Sequence, residues 1–214
     1  MRLHGYWRSS AAYRVRIALA LKGCEAAVVT HDLRADEQRA PGYLNLNPQG
    51  LVPALESDDG AVLTQSLAIL EWLEERYPAP PLLPQDAGDR AQVRAMVALI
   101  ACDMHPLNNL RVLRYLRHQL GADQTAVSAW IGHWIAQGFA ALEVLVARHS
   151  RGFAWGDAPS LADCCLVPQV YSAQRYAVDL APYPRIVAVA GHCAGHPAFR
   201  AAHPLAQPDA DPDG

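Results

Sequence analysis

The chain has no C-x-x-C pair, no H-E-x-x-H or comparable ligand cluster, and no unbroken apolar run of the roughly 18 residues a membrane span needs. Each absence removes a class of function. Without paired thiols, thioredoxin-type redox chemistry is excluded. The five cysteines (Cys24, Cys102, Cys164, Cys165, Cys193) carry no metal-ligand spacing and the nine histidines are scattered, so no metal is expected. Polar and charged residues stand near Met1, where a signal peptide would be apolar. A cytoplasmic protein with reduced thiols and no membrane attachment is the expectation. Charge of one sign is also lacking. Eighteen basic against 21 acidic residues leave a net charge of -3, which argues against nucleic acid as a partner.

What is present is ordinary globular composition: 214 residues, 51% hydrophobic and 18% charged, enough for one medium domain or two small ones. Arg2 to Tyr6 reads as a strand. Val15, Ala18, Leu19 and Leu21 then recur at helical spacing, and Lys22-Gly23 is a stop. A second strand spans Ala26 to His31, and a short helix covers Ala40 to Leu44. Leu51 to Leu55 and Ala61 to Thr64 flank Asp58-Asp59-Gly60, a hairpin signature. Gln65-Ser66 opens an amphipathic helix on Leu67, Ile69, Leu70, Leu73 and Tyr77. The order is β-α-β-α-β-β-α over residues 1–78.

Residues 79–87 hold the end of a proline-rich stretch and read as an extended linker. From 88 to 214 no strand is expected. Helices are predicted over 89–117, 124–148, 160–175 and 184–194, the third opened by a Ser160…Asp163 capping box. Ala206 to Gly214 reads as a frayed tail. The expected fold is therefore an α/β domain followed by an all-helical domain.

Three places in the first domain suit a ligand. Ser9-Ser10 lies at a strand-to-helix junction, where a helix start favours an anion and a hydroxyl can donate to a thiolate; plain helix capping is the alternative. Val52-Pro53 begins a strand after a loop. A cis bond there would turn the Val52 backbone outward to a peptide-like ligand, while an ordinary edge proline is the commoner case. Gln65-Ser66 is a second helix N-terminus, suited to a carboxylate. In the helical domain, His105, Asn108 and Asn109 are three and four apart and would share one helix face, lining a cleft unless His105 is a core histidine.

This order resembles the thioredoxin-like domain of glutathione transferases, and the resemblance continues through the helical domain. Arg8-Ser9-Ser10-Ala11-Ala12-Tyr13-Arg14-Val15-Arg16-Ile17-Ala18-Leu19 is similar to the zeta-class serine motif. Leu46-Asn47-Pro48-Gln49-Gly50-Leu51-Val52-Pro53, Gln65-Ser66-Leu67-Ala68-Ile69, the Asp103 to Asn109 segment and Leu161 to Gln169 also match that class. The class includes isomerases of maleylpyruvate and of maleylacetoacetate. The resemblance implies a glutathione-dependent cis–trans isomerase converting maleylpyruvate to fumarylpyruvate in gentisate-type catabolism. Maleylacetoacetate isomerisation, a general zeta-like transferase activity and a non-catalytic binding module are the alternatives. A homodimer is also implied.

The same resemblance distributes roles. Ser9 or Ser10 would hold the glutathione sulfur as thiolate. Val52 and Pro53 would meet the cysteinyl backbone, Gln65 and Ser66 the γ-glutamyl carboxylate, with Gln49, His105 and Asn109 bordering the same ligand. Arg8, Asn108, Arg111 and Arg175 would take the dicarboxylate, because arginine binds carboxylates at two points; Arg8 would also assist catalysis. Arg14 and Arg16 read as helix-face residues without a substrate role. Ala11 stands where maleylacetoacetate isomerases typically carry cysteine, so glutathione would be the only sulfur.

Overall fold

The computed structural model describes residues 1–211, in two compact units. The first comprises Met1–Leu82 joined by the C-terminal residues from Ala194, and the second is Leu83–Cys193. The expected boundary at 88 had assigned everything after it to the helical domain. The C-terminal residues instead pack on the first unit.

In that unit four strands form one sheet in the order β2-β1-β3-β4: β1 (Arg2–Gly5), β2 (Ala27–Thr30), β3 (Ala54–Glu56) and β4 (Val62–Thr64). β1 runs parallel to β2, with Leu3 opposite Val28, and antiparallel to β3, with Leu3 opposite Leu55. The Asp58-Asp59-Gly60 turn joins β3 to β4 as a hairpin. Helices α1 (Ser10–Leu21) and α3 (Ser66–Arg76) pack together, while α2 (Pro41–Leu46) lies between β2 and β3 in the chain. Leu3, Tyr13, Ile17, Leu55, Ile69, Leu70 and Leu73 are each 4% exposed or less and form the core. One parallel and two antiparallel pairings with α1 and α3 packed together give the α/β architecture expected from the sequence.

The proline-rich stretch is pinned rather than loose. Lys22 Nζ donates to Glu74 at 2.5 Å and to the Pro80 carbonyl at 2.6 Å, and the Leu82 N–H donates to the Glu74 carboxylate at 3.0 Å. The expected frayed tail is also ordered as far as it is described. Helix α9 (Pro197–Ala202) packs on α1, the Asp209 carboxylate accepts the Trp7 N–H at 3.0 Å, and Arg34 pairs with Asp211 at 2.9 Å. Ala210 sits against the cluster of Tyr6, Trp7, Tyr43, Val52 and Ala54. A short aspartate can satisfy a backbone donor that composition alone cannot reveal. Residues 212–214 lie outside the described part.

The second unit has no strand among its described residues. It holds α4 (Ala87–Ala98), α5 (Leu110–His118), α6 (Gln124–His149), α7 (Leu161–Arg175) and α8 (Pro184–Ala194), the last ending at the unit boundary. The single helix expected over 89–117 is broken. A π-helical turn at Leu99–Met104 and a 3-10 turn at His105–Asn108 intervene, since Pro106 lacks an N–H and Asn109 caps a new helix. α6 is long and apolar enough to cross a membrane by length and composition. Its stripe of Val127, Ile131, Ile135, Phe139, Leu142 and Val146 is buried within this unit.

The capping box opens α7. Asp163 accepts from the Ser160 N–H at 2.9 Å, the Ser160 hydroxyl at 2.8 Å and the Ala154 N–H at 2.6 Å. Full burial still pushes its carboxyl up to about 6. Burial and the adjacent Asp163 push the Cys193 thiol up as well, which makes it a poor nucleophile.

A polar chain crosses the sheet of the first unit. Glu56 can only accept, so His4 Nε2 donates to it at 2.7 Å, and His4 Nδ1 lies 2.9 Å from His31 Nε2. Burial, then the neighbouring His4, lower the His31 pKa against a smaller opposing effect of Glu37. His203 is lowered by burial and by Arg16. A histidine with a lowered folded pKa takes up its proton more readily when unfolded. Stability should therefore fall as pH drops below about 6.5, the unfolded value. The Glu56 pKa is lowered chiefly by the His4 hydrogen bond, and its contribution is lost only further down, as pH falls through its folded value below about 4.3. Chemical denaturation of His31→Asn between pH 7 and 5 should show a shallower decline than the parent, and an equal slope would remove His31 from this balance.

Candidate active site

The turn before α1 is fixed from several sides. The Ser9 N–H donates to the Tyr6 carbonyl at 3.0 Å, and Ser9 Oγ caps the helix by accepting the Ala12 N–H at 3.2 Å. Arg16 spreads its guanidinium over the carbonyls of Ala202 (3.0 Å), Trp7 (3.0 Å) and Tyr6 (3.5 Å). It is a buried clamp, where the sequence placed only a helix-face residue without a substrate role. Ser10 is buried while Ser9 is partly exposed, so the structure distinguishes the two serines. A hydroxyl that already accepts at its oxygen keeps its proton for donation, and the first turn of α1 has no acidic side chain of its own. Ser9 therefore offers a hydrogen-bond donor beside the positive end of a helix. Arg8 adjoins it, its guanidinium 4.9 Å from the centre of the Trp7 ring.

The Val52–Pro53 peptide bond is cis. The loop leading to it is tied down at the carbonyl of Leu51, which accepts from Tyr43 Oη at 2.6 Å and from Asn47 Nδ2 at 2.7 Å. Asn47 Oδ1 also takes the Gln49 N–H at 3.1 Å. Nothing in the local sequence marks Tyr43 or Asn47 for this task, since their shared partner is set by the fold.

At α3 the backbone itself is unusual. Gln65 has φ 68° and ψ 117°, and its side chain does not cap the helix. Such a conformation costs about 1–3 kcal/mol and persists at ligand clamps. The Gln65 amide instead donates to Gln49 Oε1 at 2.6 Å, which brings those two expected residues together. Ser66 is the first helical residue and its Oγ accepts from Arg14 at 3.2 Å. No acidic residue lies in this first turn. The N-terminus of α3 thus presents backbone N–H groups uncapped by a side chain, which fits the carboxylate of a glutathione-like ligand.

The second unit differs from expectation in detail. His105, Asn108 and Asn109 do not share one α-helical face. His105 and Asn108 sit on the 3-10 turn, and Asn109 caps α5 by accepting the Arg111 N–H at 3.1 Å. The side-chain amide of Asn108 is buried at both ends with no hydrogen-bond partner among the described residues. Arg111 lies exposed in the first turn of α5, and Arg175 lies exposed at the end of α7, 5.1 Å from the Tyr176 ring centre. No cluster that could hold a metal ion occurs among the described residues.

Comparison with known proteins gives a consistent result. The family described as glutathione S-transferase, N-terminal domain, matches residues 8–76. A maleylpyruvate isomerase from Ralstonia sp is 53% identical over 90% of this chain and 92% of its own. The holo structure of a maleylpyruvate isomerase, a bacterial zeta-class glutathione S-transferase, superposes with a TM-score of 0.96 at 51% identity, covering 99% of this chain and all of the other. The maleylacetoacetate isomerase of Anaeromyxobacter dehalogenans 2CP-1, solved with bound glutathione, gives 0.89 at 47% identity, over 98% and 97% of the two chains.

The turn carrying His105 and Asn108 rests on a close approach to α6. Trp130 Nε1 donates to the Leu107 carbonyl at 2.9 Å, and a Cβ on Gly138 would fall 2.1 Å from the Met104 sulfur. Helix propensity alone predicts that Gly138→Ala stabilises by about 1 kcal/mol. Overpacking costs about 1–3 kcal/mol, and at this contact it should win. Thermal denaturation of Gly138→Ala should show a lower Tm than the parent, whereas a higher one would mean that α6 and the turn are not in close contact.

Proposed function

The chain belongs to the zeta class of glutathione transferases, and from that membership we propose a glutathione-dependent cis–trans isomerase that converts maleylpyruvate to fumarylpyruvate. The single observation that best supports the sulfur chemistry is Ser9, a partly exposed hydroxyl donor at an α1 start without a first-turn acid. When bound, glutathione supplies a thiolate that adds to the cis double bond and leaves after rotation about the resulting single bond.

The protein's own residues would do the rest. Ser9 donates to the sulfur and, with the α1 N-terminus, lowers the thiol pKa from its free value of about 8.5. Ser10, the first residue of α1, is buried beside Ser9. Gln65, Ser66 and the α3 N–H groups hold the γ-glutamyl carboxylate, Val52 pairs with the cysteinyl backbone beside Pro53, and Gln49 orients Gln65. His105 and Asn109 border the glutathione. Asn108, Arg111 and Arg175 bind the dicarboxylate, and Arg8, next to Ser9, stabilises the charge that develops on the substrate as the sulfur adds. The enzyme acts in the cytoplasm as a homodimer in the breakdown of aromatic acids. Ala11 supports a mechanism in which no protein thiol takes part.

A spectrophotometric assay with maleylpyruvate and with maleylacetoacetate tests this reading. Isomerisation should require glutathione and leave its total unchanged over many turnovers, with maleylpyruvate giving the higher kcat/KM. Full activity in a thiol-free preparation would contradict it. Arg111→Ala or Arg175→Ala should raise the KM for the dicarboxylate about ten- to a hundredfold, the equivalent of a charge-assisted hydrogen bond of about 1.5–3 kcal/mol, with glutathione affinity nearly intact.

A further inference from the structure

Arg14 is 1% exposed, although the sequence placed it only on a helix face, without a substrate role. Its guanidinium runs from α1 to α3 and donates to Ser66 Oγ at 3.2 Å. Ser66 is itself buried, 6% exposed, at the first position of α3. A serine hydroxyl has one proton and two acceptor sites. With a guanidinium N–H on its oxygen, its proton cannot also point at Arg14, because two donors would face each other. The proton is turned away from α1.

The geometry points to Arg14 as a positioning residue that holds Ser66 as a hydrogen-bond donor and so selects an ionised carboxylate at the start of α3. The inference rests on the reading of Gln65 and Ser66 as the anchor for the γ-glutamyl carboxylate. An unrestrained serine could accept from an amide or donate to a carboxylate with equal ease. A serine already accepting from a guanidinium favours an acceptor-only partner, and the uncapped N–H groups of α3 ask for the same kind of group. Arg14 would not touch the ligand. It acts through Ser66, which distinguishes it from a general contribution to folding by a buried side chain.

The distinction can be measured with two ligands: glutathione, and the analogue γ-aminobutyryl-cysteinyl-glycine, which lacks the γ-glutamyl α-carboxylate and keeps the amine. Isothermal titration with each gives a preference ratio for every variant. Arg14→Gln should reduce the preference for glutathione about tenfold, with affinity for the analogue unchanged, and the intact analogue affinity shows that the variant is folded. Arg14→Lys keeps the charge but not the fork and should lose part of the preference. In the Arg14→Gln, Ser66→Ala double variant the preference should be no lower than in Ser66→Ala alone, because Arg14 works through that hydroxyl.

Equal losses for both ligands, additive effects in the double variant, or a wild-type preference in Arg14→Lys would each overturn the proposal. The Lys variant decides the matter if Arg14→Gln does not fold. Failure of the underlying reading looks different. In that case Ser66→Ala would itself leave the preference for glutathione intact.

Discussion

Every α-helix begins with backbone N–H groups that the helix cannot satisfy, and in the first unit two such beginnings are what the rest of the unit is arranged to hold. α1 starts at Ser9 and α3 after Gln65, and neither has an acidic side chain in its first turn. Neither positive end is neutralised by a carboxylate of its own first turn. Around them the protein spends its buried polar groups on position. Arg16 and Asp209 fix the carbonyl and N–H of Trp7, Tyr43 and Asn47 fix the carbonyl of Leu51, and Gln49 holds the side chain of Gln65. A thiolate and a carboxylate are two anions of one small molecule that could take both helix starts.

Local chemistry made most of this legible in advance. The hydrophobic periods marked α1, α3 and α6, the Asp-Asp-Gly turn marked the β3–β4 hairpin, and Ser160 with Asp163 marked the start of α7. Ser9 and Ser66 do stand at helix starts, where the local pattern placed them. The break at Leu99–Asn108 was harder, since Pro106 and Asn109 disrupt a helical period without erasing it.

Long-range polar contacts were not legible, because nothing in the local pattern encodes their partners. Arg14 and Arg16 show this most clearly. Two residues apart on a helix, they cannot share a face, so at least one had to leave any common solvent stripe. That much could have been read, but not that both would be buried, one directed to α3 and the other to the carbonyl of Ala202. The tail follows the same logic. Its aspartates and prolines look disordered in composition, yet Asp209 and Asp211 each meet a specific donor more than 170 residues away in the chain.

The central claim is that the α1 start and Ser9 together hold a thiolate. Ultraviolet difference titration of bound glutathione, in the wild type and in Ser9→Ala, measures this directly. The bound thiol should ionise clearly below the free value of about 8.5 in the wild type and move back towards it in Ser9→Ala. A thiol that titrates at its free value in the wild-type complex would contradict the account.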